Sequence, residues 1–157
     1  SGLSTYALMS LCNAAIIYGT KMGVELTSVG QPVIVAGEAW IRNKGITLDA
    51  TTPDEYVRLL AQLPFAERLT PPQLARARRY AYHFFFNRMI PLPFIEPKAG
   101  YPIYRLELER LQQLLPGASQ GLDTICDGIL ARTPFVLRDK DRKAPTIVVA
   151  PEPSPVQ

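Results

Sequence analysis

The fold is decided by residues 14–37, which read AAIIYGTKMGVELTSVGQPVIVAG. Two short, continuous apolar runs, residues 14–18 and 32–36, each end at a glycine. Runs of this kind are typical of strands that are buried on both faces of a parallel sheet. The residues between them, 20–29, have a helical pattern, and Gly30 predicts the C-cap of that helix. A strand, a helix and a second strand in this order predict a βαβ unit.

Further helices are predicted on both sides of this unit. The mostly apolar stretch 6–12 predicts a helix that is buried on more than one side. Thr52-Pro53 and Thr70-Pro71 are typical helix starts, and the second of these helices is expected to end at Pro91. Residues 104–115 and 122–130 also predict helices. Residues 38–50 predict a loop, and no helix is expected over residues 94–102.

Two strands alone leave both edges of a parallel sheet uncovered. The predicted fold class is therefore α/β and helix-rich: a partial, Rossmann-like βαβ unit with additional helices and an incomplete sheet. We expect the earlier βα units to precede Ser1, or a partner chain to complete the sheet. Residues 1–137 are predicted to form this domain. Residues 138–157, charged and then proline-rich, predict a flexible tail.

Composition narrows the class of protein. A net charge of +3 on 157 residues is too weak to indicate nucleic-acid binding, although it suits an anionic nucleotide or membrane surface. No run approaches the roughly 18 apolar residues of a membrane span, and the start lacks a basic signal region, so we expect a cytoplasmic protein. Cys12 and Cys126 lie in apolar runs and predict buried thiols. His83 is the only histidine, and no metal site is expected.

The turn after the first predicted strand carries the chemistry. Gly19 permits a tight turn, Thr20 offers a hydroxyl and helix N–H groups to a phosphate, and Lys21 adds a positive charge. Gly23 allows a ligand or a strand to approach closely. Glu25, further along the helix, could accept both hydroxyls of a ribose. The pattern alone leaves phosphate binding and an ordinary strand-to-helix turn open.

Residues 5–49 resemble the C-terminal half of GT-B glycosyltransferases, and the closest likeness is to the bacterial capsule polysaccharide biosynthesis and export family, which includes Kdo-transferring enzymes. The resemblance lies in a hydroxylated residue at the helix start, Thr20, a following Glu25, and Gly30 and Pro32 before the next strand. The later segments RRYAYHFFFNRMIPLPF and GLDTICDGIL are also similar to the family. The resemblance implies that the start of the helix binds the donor phosphate and that Glu25 binds the ribose.

Glu38 directly follows the second predicted strand, where ligands of open α/β sheets bind, and it is a further candidate for the donor site. Trp40 is interpreted as a packing residue. The upstream His-Pro motif of the family and its acceptor domain are not found in the sequence. No catalytic residue is therefore assigned, and this chain alone is expected to be inactive.

The resemblance implies a part of a glycosyltransferase that moves a sugar from a nucleotide-activated donor, for which a CMP-linked sugar is a candidate, to a glycan or glycolipid acceptor. It implies a cytoplasmic location, with association to the inner membrane as an option. Two alternatives stay open: a non-catalytic interaction module of the export machinery, and another GT-B-like enzyme such as a nucleotide-sugar epimerase. The donor is a substrate, so no cofactor is expected.

Three remaining groups of residues have less specific interpretations. The arginines of residues 76–88 predict a basic helix that is solvated or contacts an anionic partner. The aromatic residues 80–86 predict burial between layers, with His83 packed among them. Asp123 and Asp127 are interpreted as capping and surface residues.

Overall fold

The computed structural model describes residues 4–137. It divides into two compact units, with the boundary between Phe86 and Asn87, and each is described here by itself. The predicted tail, residues 138–157, lies outside the described residues.

The first unit contains four α-helices and three strands. In chain order they are α1 (Thr5–Leu11), β1 (Ala15–Ile17), α2 (Met22–Ser28), β2 (Val33–Val35), β3 (Leu48–Asp49), α3 (Pro53–Leu60) and α4 (Pro71–Tyr82). Directly after α4 the backbone forms a π-helix, His83–Asn87.

The three strands form one parallel sheet in the order β1-β2-β3. Ala15 pairs with Val33, and Ile34 pairs with Leu48. The predicted α/β fold and its parallel βαβ unit are thereby confirmed, and the arrangement is compatible with a partial Rossmann-like unit. Strand β3 lies in the stretch 38–50, which was predicted to be a loop. The strand was not predicted because two residues are too few to produce a strand pattern.

The core of this unit surrounds β2. Val33, Ile34 and Val35 have no exposed surface, as predicted for a strand that is covered on both faces. Ile17, Val24 and Leu26 from β1 and α2, Ile41 and Ile46 from the loop after β2, and Ala77 from α4 complete the buried cluster. Helix α4 packs against α2, with its apolar residues Ala77 and Ala81 in contact with the core.

Helix α2 ends at Ser28 with Val29 as its C-cap, one residue before the predicted C-cap Gly30, whose φ is +86°. The N–H of Gly30 donates to the carbonyl of Thr27, and the N–H of Gln31 donates to that of Leu26, each at 3.0 Å. These two bonds form a Schellman motif, which a glycine in the left-handed region permits. The chain therefore turns directly from α2 into β2.

The predicted start of α3 is also confirmed. The Thr52 hydroxyl accepts the N–H of Glu55 at 3.2 Å, while the Glu55 carboxylate accepts the N–H of Thr51 at 2.8 Å and the Thr51 hydroxyl. Hydrogen bonds from the Thr51 side chain, and then from its backbone, lower the pKa of Glu55 below its ordinary value. Helix α4 starts similarly, since Gln73 accepts the N–H of Thr70 at 3.0 Å.

The second unit contains a hairpin and two helical segments. Strands β4 (Ile95–Pro97) and β5 (Tyr104–Leu106) are antiparallel, and a 3₁₀-helix (Leu111–Leu114) and α5 (Gln120–Leu130) follow. The prediction of one helix over 104–115 was wrong, because Tyr104–Leu106 pairs with β4. The helix at 122–130 is confirmed. The Asp123 carboxylate accepts the N–H of Gly117, before the helix, at 3.0 Å, whereas the residue that caps α5 is Ser119, whose hydroxyl accepts the N–H of Leu122 at 3.4 Å.

Burial differs from the prediction in several places. Helix α1 has no buried residue, and both cysteines are exposed, so the predicted burial of α1, Cys12 and Cys126 was wrong. Strand β1 lies at the edge of the sheet, since among residues 4–137 only one of its sides has a strand neighbour. Ile16 is 48% exposed whereas Ile17 is buried, because successive side chains of a strand point to opposite faces of the sheet.

The aromatic run is split between two environments. Tyr80, Phe84 and Phe85 pack against the core, whereas Tyr82 and Phe86 are about half exposed and stack on each other with centroids 5.2 Å apart. Burial of the whole run was therefore predicted wrongly, since these two rings lie away from the core. Of the helices described, none is long and apolar enough to cross a membrane.

Candidate functional site

A cavity of about 150 Å³ lies where β1 and β2 end, between the turn before α2 and the loop after β2. Its lining consists of Gly19, Thr20, Lys21, Val24, Glu38, Ala39, Trp40 and Ile41. Four of the six predicted site residues, Gly19, Thr20, Lys21 and Glu38, thus meet at one place. The carboxyl ends of parallel strands are the usual position of ligands in open α/β sheets.

One wall of the cavity is the turn that leads into α2. The Thr20 hydroxyl accepts the N–H of Met22 at 3.3 Å, so Thr20 satisfies one of the unpaired N–H groups at the start of its own helix. Lys21 is exposed and supplies the positive charge of this wall. The next two N–H groups of α2 also have acceptors, since Gly23 donates to the carbonyl of Thr20 at 3.5 Å and Val24 to that of Lys21 at 2.9 Å. A phosphate here would meet chiefly the ammonium group of Lys21.

The opposite wall is the loop after β2. A Cβ atom added to Gly19 would lie 3.0 Å from the Glu38 carbonyl oxygen, so Gly19 allows the two walls to come this close. The exposed Glu38 places a carboxylate beside the same cavity as Lys21. The pair offers a cation for an anionic group and an acceptor for hydroxyl or amine hydrogens.

Gly23 lies outside the cavity lining. It is buried on the inner face of α2, where an added Cβ would come within 2.5 Å of Ile17 Cδ1. Two roles were predicted for Gly23, the close approach of a ligand or of a strand. The structure places Gly23 against a strand. Its missing side chain lets α2 pack closely on β1.

Glu25 is also absent from the lining, and its carboxylate already has a partner. The Tyr6 hydroxyl of α1 donates to Glu25 Oε2 at 3.0 Å. This hydrogen bond, and then the negative charge of Glu25, raise the pKa of Tyr6 above its ordinary value, since both favour the neutral phenol. A ribose hydroxyl that binds Glu25 would therefore share this carboxylate with the Tyr6 hydroxyl or displace it.

Arg42 is a residue of this sheet end that sequence reasoning missed. Its Nη1 donates to the carbonyls of Gly37 and Val35 at 2.9 and 3.3 Å, and its Nη2 donates to that of Ala50. The guanidinium thus joins the ends of β2 and β3. Its position after a buried strand was the one available signal, and such a signal does not distinguish a structural arginine from a ligand-binding one.

A larger cavity, of about 350 Å³, lies at the other end of the same sheet. It is lined mainly by residues that begin β2 and β3 and by the chain between α3 and α4, among them Pro32, Val33, Leu48, Phe65 and Leu69. None of the predicted site residues belongs to this lining. The two cavities therefore lie at opposite ends of the strands.

Within residues 4–137, no group of three or more His, Cys, Asp and Glu side chains could hold a metal ion. Compared with protein-family models, curated proteins and solved structures, the chain finds no match in any of the three. The site is therefore interpreted from its own geometry.

The close contact at Gly23 predicts a specific stability effect. Gly23→Ala should destabilise the protein by about 1–3 kcal/mol, because its Cβ overlaps Ile17 Cδ1. Ile17→Val removes that Cδ1 atom, so the double variant should recover part of the loss relative to the sum of the two single changes. Urea unfolding of all four proteins measures this coupling. Additive effects would contradict a packing role for Gly23.

The Tyr6–Glu25 hydrogen bond predicts a shift in a titration curve. Glu25→Gln removes the negative charge, so the pKa of Tyr6 should fall towards its ordinary value. In the unchanged protein the phenol should stay neutral to a higher pH than in the variant. An NMR titration of the Tyr6 ring carbons measures both values. Glu38→Gln is the matched control and should leave the Tyr6 curve in place; an equal shift there would contradict the assignment.

Proposed function

We propose that this chain is the donor-binding part of a glycosyltransferase that transfers a sugar from a nucleotide-activated donor during assembly of a bacterial capsule or surface polysaccharide. The observation that carries the proposal is the cavity at the carboxyl ends of β1 and β2, where Gly19, Thr20, Lys21 and Glu38 meet. A CMP-linked sugar is the first donor to test, the acceptor is a glycan or glycolipid, and the location is the cytoplasm, with the inner membrane as a further option.

The cavity supports the binding of an anionic, hydroxyl-bearing ligand. Lys21 attracts a phosphate, and the N–H groups at the start of α2 add partial positive charge. Gly19 keeps the turn free of a side chain. A diphosphate or monophosphate leaving group develops negative charge during sugar transfer, and a fixed cation beside it lowers the barrier.

Glu25 is proposed to bind the ribose. The Tyr6 contact supports the idea that this carboxylate accepts hydroxyl hydrogens. Donor binding would then exchange the phenol hydroxyl for ribose hydroxyls, with α1 moving away from α2. The exposed surface of α1 supports such a displacement, because little burial is lost when this helix moves.

A partner that completes the sheet is also proposed: the N-terminal half of the same protein or a separate chain. The N–H of Ala15 donates to the carbonyl of Pro32 at 3.1 Å, and the carbonyl of Ile17 accepts the N–H of Ala36 at 2.9 Å. Backbone groups of alternate residues in a strand point to opposite sides, so the N–H and C=O of Ile16 point away from β2. Within residues 4–137 no strand pairs with this side of β1, and an edge of this kind accepts a further strand.

A nucleotide titration tests the donor site. CMP, UDP and GDP are titrated against the 157-residue chain by calorimetry, together with Lys21→Ala and Glu25→Ala. We expect one nucleotide to bind, and each variant to weaken that binding by about tenfold, the size expected when a hydrogen bond to a charged group is lost.

Lys44→Ala is the matched control, since Lys44 is an exposed lysine of the same unit that does not line the cavity. It should bind as the unchanged protein does. Absence of binding by all three nucleotides, or equal weakening in Lys44→Ala, would overturn the donor assignment.

Hydrogen exchange tests the sheet edge. In the 157-residue chain the amide of Ile16 should exchange quickly, and those of Ala15 and Ile17 slowly. In the protein as purified from its source, with whatever accompanies it, the Ile16 amide should become protected by about tenfold or more as a ladder hydrogen bond forms. Equally fast exchange of Ile16 in both preparations would contradict a strand partner at this edge.

A further inference from the structure

Trp40 combines a fixed position with an exposed ring. It lines the cavity beside Thr20 and Lys21, yet 72% of its surface is exposed. Tryptophan is the largest apolar side chain and usually buries most of its area. A tryptophan left open beside a cavity is therefore a candidate contact for a ligand.

Trp40 has one contact with α4 and one with the π-helix that follows it. Its carbonyl accepts the Tyr80 hydroxyl at 2.6 Å, and its ring lies 5.2 Å from the ring of Phe84 at an angle of 40°. Phe84 in turn packs against the core. The indole is thus supported by a helix on one side, while the remaining surface borders the cavity.

The size of the cavity limits what the indole can contact. A volume of about 150 Å³ is that of a cavity that takes one benzene-sized ring. It is too small for a whole nucleotide sugar. One six-membered ring of the ligand would fill it, and the rest would extend past Lys21 into solvent.

We propose that Trp40 is the stacking platform for a six-membered ring of the ligand, with the anionic group of that ligand on Lys21. The inference rests on the proposed function and deepens it by naming the residue that recognises the ring. A six-membered ring with an apolar face is the shared chemistry, and two parts of a nucleotide sugar provide it: the planar nucleobase, and the pyranose, whose C–H groups form such a face. Every nucleobase can stack on an aromatic side chain, and the contribution of this stacking to the binding free energy is large enough to measure.

Because Trp40 is the only tryptophan of the chain, its fluorescence reports directly on this cavity. The 157-residue chain is titrated with CMP, cytidine, ribose 5-phosphate and methyl glucopyranoside. Quenching by CMP and cytidine identifies the base as the stacked ring, and quenching by the glucoside identifies the pyranose. Quenching by ribose 5-phosphate alone, or by none of the four, would overturn the assignment.

Variants separate stacking from a structural effect. Calorimetry should show that Trp40→Ala weakens binding of the stacked ligand by about tenfold, whereas Trp40→Phe, which keeps an aromatic face, restores most of it. Tyr101→Ala removes an aromatic ring that is 96% exposed and is the matched control with unchanged binding. Thermal unfolding should be alike in all four proteins.

The outcomes also separate this inference from the proposed function. CMP that binds equally to Trp40→Ala and the unchanged chain would overturn the stacking role and leave the donor site intact. CMP that binds through Trp40, and binds equally well to Lys21→Ala and the unchanged chain, would support the stacking role and overturn the donor-phosphate assignment. Absence of binding by every ligand would overturn both.

Discussion

Strand β2 is the constraint on which the first unit depends. Three consecutive residues without any exposed surface must be covered on both faces, and each such side chain contributes about 1.5–3 kcal/mol when it is buried. Covering one face with α2 requires the chain to reverse direction twice, first between β1 and α2 and then between α2 and β2. Each reversal has only a few residues. Gly30 makes the second of these reversals possible, since its positive φ allows α2 to end and β2 to begin almost immediately.

The same constraint creates the candidate site. Two parallel strands that end side by side must each continue into a turn, and both turns leave the sheet at the same end. Gly19 allows the turn after β1 to approach the backbone of Glu38. Residues that are about twenty positions apart in the sequence then line one cavity. The site is therefore a consequence of parallel pairing, and its chemistry depends on which side chains these two turns carry.

The sequence was sufficient for the elements that local rules determine. The continuous apolar run at 32–36 predicted a fully buried strand, and Thr52-Pro53 predicted the start of α3, because burial and capping leave direct traces in residue type. It also grouped Gly19, Thr20, Lys21 and Glu38 at one end of the sheet. Those four predictions needed only the strand ends and the rule for ligand positions in α/β sheets.

Features that depend on contacts between distant residues could not be predicted in this way. Tyr6 lies nineteen positions from Glu25, and no periodicity connects them. The second strand of the hairpin, Tyr104–Leu106, was mistaken for the start of a helix, because its pairing with β4 rather than its own residue pattern decides its conformation. The exposure of α1 and of Ile16 depends on what covers them, which is a property of neighbours and not of their own composition.

The Arg42 contacts have a consequence for how the cavity responds to a ligand. By binding carbonyls at the ends of β2 and β3, this guanidinium fixes both ends of the stretch that carries Glu38 and Trp40. A loop that is already ordered loses little conformational entropy when something binds to it, so more of the contact energy remains as affinity. Lysine could not substitute, because a single ammonium group lacks the planar fork that reaches two strand ends at once. The loop that borders the cavity is thus held in place by a residue that lies outside the cavity lining.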